Sequence, residues 1–129
     1  MSARRETLAA CIGSVVAAAV MKAPALRDPG HRIPSDLVDP LYQTWQLAWG
    51  AHAVTSTPLS PWDANVFWPL RHSLAFGDSL YGYSPVGVFF GSGPTASLVR
   101  YSVVFVLAYA LAAAGAYLLA RQLGCRARR

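Results

Sequence analysis

Asp36 and Asp39 stand three residues apart in the stretch SDLVDPLYQTWQLAWGAHA, 35–53, and a run with two tryptophans and a histidine follows at once. Carboxylates so placed can act as a general base with a helper, or together bind a divalent cation. The spacing itself is common. Asp39 also has a plain structural use, because Asp is a favoured N-cap and Pro40 suits the first helical position. Asp39 therefore reads first as the start of a helix, and Asp36 as a solvated loop acid.

The remaining chemistry-bearing residues form no tighter constellation. His31, His52 and His72 lack the spacing of a metal-binding motif. The glycines of GSGPT, 91–95, come without the lysine or preceding strand of a phosphate loop. Ser14, Ser84 and the other hydroxyls lack a nucleophile context. Cys11 and Cys125 are the only thiols, which gives no metal framework, and their expected position near the cytoplasmic side argues against a disulfide.

The elements that must position these residues are apolar. Of the 129 residues 54% are hydrophobic and 13% charged, against about a quarter charged in a soluble domain. The net charge of +5 gathers at the termini, with Arg4 and Arg5 at one end and Arg121, Arg126, Arg128 and Arg129 at the other. Such placement signals topology; without a basic stripe interleaved with stacking aromatics, no nucleic-acid partner is expected.

Two stretches are long enough to cross roughly 30 Å of hydrocarbon as helices. The first is 7–26, with Lys22 placed to snorkel near its far end; the second is 97–120, with Arg100 near its start, where snorkelling or contact with lipid phosphate is expected. The apolar piece 82–93 is short and broken by glycine and proline, and its crossing would translocate the C-terminal arginines. These patterns predict an all-α membrane protein with two transmembrane helices flanking an external loop. In that layout 1–6 is a cytoplasmic N-terminus, 27–96 the loop, and 121–129 a cytoplasmic basic tail. ARRETL faintly resembles a twin-arginine signal and Ala23-Pro24-Ala25 a cleavage site, but the length of the run favours an uncleaved anchor. A lipoprotein box is rejected at Cys11, because it precedes the apolar run.

The loop holds five of the six acids, every histidine and every tryptophan. Its first piece predicts an amphipathic helix over about 40–57, ending before Pro58. Leu41, Trp45, Ala48, Trp49 and His52 share one side; Gln43, Gln46 and Gly50 share another. With its tryptophans this helix is expected in the interface plane of the membrane. The second piece, from Pro58 to Phe76, reads as ordered loop in which Asp63 and Asn65 close turns. In the third, Asp78 is placed to cap a short interfacial helix, about 79–90, that carries Leu80, Tyr81 and Tyr83. Gly115 within ALAAAGA suggests a face for neighbouring helices outside this chain.

In order along the chain, the stretches DPLYQTWQLAWGAHA (39–53), PWDANVFWPLRHSLAFGDSLYG (61–82) and YSVVFVLAYALAAAGAYLLARQLGC (101–125) resemble the N-terminal portion of bacterial polytopic glycosyltransferases of the GT-C fold, including YfhO-like membrane proteins. The resemblance runs from about residue 30 onward, and its individual motifs are loosely specific. It implies a fragment of a polytopic enzyme in the bacterial cell membrane, using a polyprenyl-phosphate sugar donor. Asp39 would be the base on the acceptor hydroxyl, with Asp36 as the alternate. Asp78 would be a later loop acid, and Trp45, Trp49 and Arg100 would complete a substrate-binding set beside membrane lipid. A divalent metal is compatible with this set. Enzymes of that type have many spans, so these 129 residues alone are not expected to catalyse. The alternative is a small non-enzymatic two-span protein whose loop binds a partner or lipid.

Overall fold

The computed structural model describes residues 3–33 and 37–124; Asp36, Cys125 and the arginines at 126, 128 and 129 lie outside these. Among the described residues the chain is all-helical, with no strand. The helices are α1 (Ala3–Met21), α2 (Ala23–Leu26), α3 (Asp39–Ser56), α4 (Ser84–Gly87) and α5 (Pro94–Gln122), with 3-10 turns at Ser73–Phe76, Tyr81–Tyr83 and Val88–Phe90. Two compact units result: one is Asp28–Val104, and the other joins the chain up to Arg27 with the chain from Phe105 onward.

One described helix, α5, is long and apolar enough to cross a membrane. The expected first span, 7–26, is divided: α1 stops at Met21, Lys22 forms a turn, and α2 follows with Pro24 in its first turn. Because α1 carries Arg4, Arg5 and Glu6 in its first turns, its uncharged stretch is 7–21, roughly 22 Å of helix.

In the terminal unit α1 and the later part of α5 run antiparallel. At one end Arg121 Nη1 donates to Thr7 Oγ1 at 2.9 Å. At the other the Lys22 ammonium lies over the rings of Phe105 and Tyr109, 4.8 and 4.3 Å from their centroids. Two aromatic faces thus receive the Lys22 cation. Ile12, Val16, Val20, Leu111 and Leu119 remain exposed. Gly115 is also exposed and open, with nothing within 4 Å of where a Cβ would stand.

The loop unit is organised around α3. With little regular backbone pairing outside the helices, its polar groups need side-chain partners. Trp49 Nε1 donates to the Pro61 carbonyl at 3.0 Å, Gln46 Nε2 to the Asp78 carbonyl, and Tyr101 Oη to Gln43 Oε1 at 3.2 Å. Asp63 Oδ1 accepts the His72 backbone N–H at 2.7 Å and lies 3.2 Å from the His72 ring, which closes the loop between them. Leu47, Ala53 and Leu74 are fully enclosed.

The buried face of α3 is Pro40, Thr44, Gln46, Leu47, Gly50, Ala51 and Ala53. The side that carries the tryptophans is the less covered one: Leu41 is exposed and Trp45 and Trp49 are only partly covered. Size explains the choice. Gly50 offers a groove into which Ser84 of α4 inserts, with Ser84 Cβ 3.1 Å from where a Cβ at 50 would be. A tryptophan face cannot admit a backbone turn that closely.

Candidate functional site

The groups that could do chemistry sort to the two ends of α3. At its start, Asp39 lies in the first helical turn, exposed, and the N-cap is Val38 without a side-chain cap bond. Asp39 is therefore not the cap. One position inside the helix, its carboxylate meets the positive end of the helix dipole instead. Among the described residues no hydrogen bond or ion pair engages that carboxylate. Asp36, its expected helper, lies outside the described residues, so the pair has no geometry here.

Asp78 belongs to the same half of α3. Its carbonyl takes the Gln46 amide, and next to it Gly77 sits against Tyr42, whose Oη is 3.1 Å from where a Cβ at 77 would be. Tyr42 in turn stacks on Trp45, with centroids 5.7 Å apart and planes at 24°. The Asp78 side chain is exposed and caps nothing. The hydroxyl of Ser79 accepts the Tyr81 N–H at 3.2 Å, and the expected helix over 79–90 is three successive short turns. A serine two residues before the N–H forms this turn more compactly than the aspartate could.

Trp49 is committed elsewhere, through its bond to Pro61 and a tilted ring contact with His52 at 5.3 Å. It is a packing residue of the far half of α3.

At that far half lies Arg100, which corrects the snorkelling expectation. It is 3% exposed. Its Nε donates to the Gly87 carbonyl at 2.9 Å and its Nη2 to the Gly91 carbonyl at 2.5 Å. The absence of a side chain at Gly87 makes the room: a Cβ there would stand 3.0 Å from Arg100 Cδ and 3.3 Å from Ala51 Cβ. No carboxylate pairs with Arg100 among the described residues. The described carboxylates in contact with a basic side chain are Asp28, beside His31, and Asp63, beside His72. Charge-assisted bonds to carbonyls contribute about 1.5–3 kcal/mol each, whereas a buried cation without a counter-ion costs several.

Arg100 opens on a cavity of about 370 Å³ walled by His52 and Thr55 of α3, the Gly91–Gly93 segment, and Ser97 of α5. Arg100 is level with Ala51, twelve positions after Asp39, which is roughly 18 Å along the helix. The structure thus brings Asp78 and Trp45 to the half of α3 that Asp39 begins, and Trp49 and Arg100 to the other. Asp39 and Arg100 do not meet.

No group of three or more His, Cys, Asp or Glu side chains gathers as a metal site among the described residues. Residue type and spacing along the chain give Gly50, Ser84 and Gly87 no packing role, although the close approach of α4 to α3 depends on them. Comparison of the chain with protein-family models, with curated proteins and with solved structures found no match.

Proposed function

We propose that the chain is the N-terminal module of a bacterial membrane glycosyltransferase-like protein of GT-C type. It has two spans, both termini in the cytoplasm, and its loop on the outer face. The reaction moves a sugar from a polyprenyl-phosphate donor to an acceptor hydroxyl. Asp39 takes the hydroxyl proton while the oxygen attacks the anomeric carbon. The bond from that carbon to the phosphate oxygen breaks, and polyprenyl phosphate leaves with the electron pair.

The observation that carries this reading is the exposed carboxylate of Asp39, unengaged among the described residues, at the start of α3, beside the half of the helix that holds Tyr42, Trp45 and Asp78. A base must be free to accept a proton, and a cap bonded to its own helix would be less so. The length and apolarity of α5 support the membrane setting. Arg100 is too distant to offset the leaving phosphate in the same event, so that role belongs to another cation.

The test is transfer from polyprenyl-phosphate-linked hexoses in membranes that contain the full gene product. Asp39→Asn abolishes transfer while the protein accumulates normally; retained transfer overturns the assignment.

A second reading draws on a different observation: Leu59, Trp68, Phe76 and Phe89 are each more than 70% exposed. A loop that presents such residues suits a non-enzymatic protein that docks on lipid. Vesicle binding that persists where no transfer is found with any donor favours this reading.

A further inference from the structure

We propose that the cavity beside Arg100 is a binding site for one phosphate-class oxyanion, separate from Asp39 and independent of the glycosyltransferase reading. Arg100 is almost wholly enclosed, yet no described carboxylate neutralises it. Its bonds to the carbonyls of Gly87 and Gly91 fix the guanidinium plane. The remaining guanidinium N–H groups have no described acceptor, and Arg100 is among the residues that line the cavity. A planar guanidinium with free donors matches phosphate oxygens in geometry as well as charge.

The rest of the wall has the same sense. His52 and Ser92 bring donor groups, the hydroxyls of Thr55 and Ser97 already donate to backbone carbonyls, and among the described residues no acid lines the cavity. Gly91 and Gly93, with φ of 70° and 101°, leave the backbone bare on either side of Ser92. Gly93 and Ser97 also put the start of α5 at this wall, and the positive end of a 29-residue helix favours an anion. The buried cation and the helix terminus reinforce each other. A volume of about 370 Å³ is at the small end for ligand sites, which run roughly 300–1,000 Å³. It suits one headgroup or a free ion rather than a sugar chain.

Phosphate could arrive free or as a lipid headgroup, and the experiment separates the two. The full chain in nonionic detergent is titrated with inorganic phosphate, with chloride at matched ionic strength as the control, and separately with dihexanoyl phosphatidic acid. Trp49 supplies the signal, because its ring lies on His52 at the cavity wall; Trp49→Phe checks that the change arises there. Saturable binding of inorganic phosphate above the chloride response identifies a free-anion site. Binding confined to phosphatidic acid, or about tenfold tighter for it, identifies a lipid-headgroup site. Arg100→Gln loses binding. As that variant can also fail to fold, His52→Ala is the second one: His52 is exposed, and its loss weakens binding about tenfold, the worth of one hydrogen bond, with helicity unchanged. No response beyond chloride to either probe, or unaltered affinity in His52→Ala together with a folded Arg100→Gln, overturns the proposal.

Discussion

Gly50 lies so close against Ser84 that a methyl at position 50 would overlap the Ser84 hydroxyl. Ser84 is fully buried, and its hydroxyl finds no hydrogen-bond partner among the described residues. This pair fixes how the turn segment 81–90 seats on α3. Gly50→Ala is expected to destabilise the loop unit by about 1–3 kcal/mol, the usual cost of overpacking. Ser84→Gly in the same chain should recover most of that loss, since the two sites are coupled. Thermal unfolding in detergent, followed by circular dichroism, measures both; equal stability of Gly50→Ala and the parent would refute the tight seat.

Removing only the orphaned oxygen has the opposite sign. Ser84→Ala should leave stability unchanged or raise it by about 1 kcal/mol, because a buried hydroxyl without a partner costs desolvation and returns nothing. A clear drop in the unfolding temperature would show that the hydroxyl bonds after all.

The tryptophans divide by environment. Trp49 is bonded to the Pro61 carbonyl, whereas Trp68 is 90% exposed. In membranes with brominated lipid, single-tryptophan chains should show strong quenching at Trp68 and little at Trp49. Trp49→Phe should cost about 1 kcal/mol through the lost bond. Quenching of Trp49 as strong as that of Trp68 would contradict the packing described.

The Asp63 carboxylate holds the His72 N–H at 2.7 Å while His72 adopts a left-handed φ of 56°. Few residues keep that conformation without support. Asp63→Ala should loosen the loop by about 1–2 kcal/mol, and trypsin should then cut after the exposed Arg71 several times faster. An unchanged cleavage rate would mean that other contacts hold the loop.

Topology is tested at the C-terminus. A reporter fused after Arg129 is expected to be active only in the cytoplasm, as the positive-inside rule requires of two spans. A periplasmic signal would sink that arrangement.

Much of the local order was readable from residue types. Asp39-Pro40 and Pro58 bracket α3, which runs Asp39–Ser56, because proline acts on its own backbone and that of the residue before it. The helical class was likewise legible in long apolar runs without strand alternation. Aspartates at 39 and 78 misled as caps, because Asp39 sits one position inside its helix and Ser79 forms the tighter turn.

Side selection and charge burial were decided only in three dimensions. Periodicity identified two faces of α3 but not which one turns inward, since that depends on what can approach. The glycine groove at 50 admits Ser84, and Gln46 reaches the Asp78 carbonyl thirty-two residues away. Arg100 reads as a snorkelling cation until the folded turns aim the carbonyls of Gly87 and Gly91 at it. Spacing in sequence records what a residue's neighbours along the chain allow. The carbonyls that hold a guanidinium, and the cavity they leave beside it, exist only once distant turns have packed.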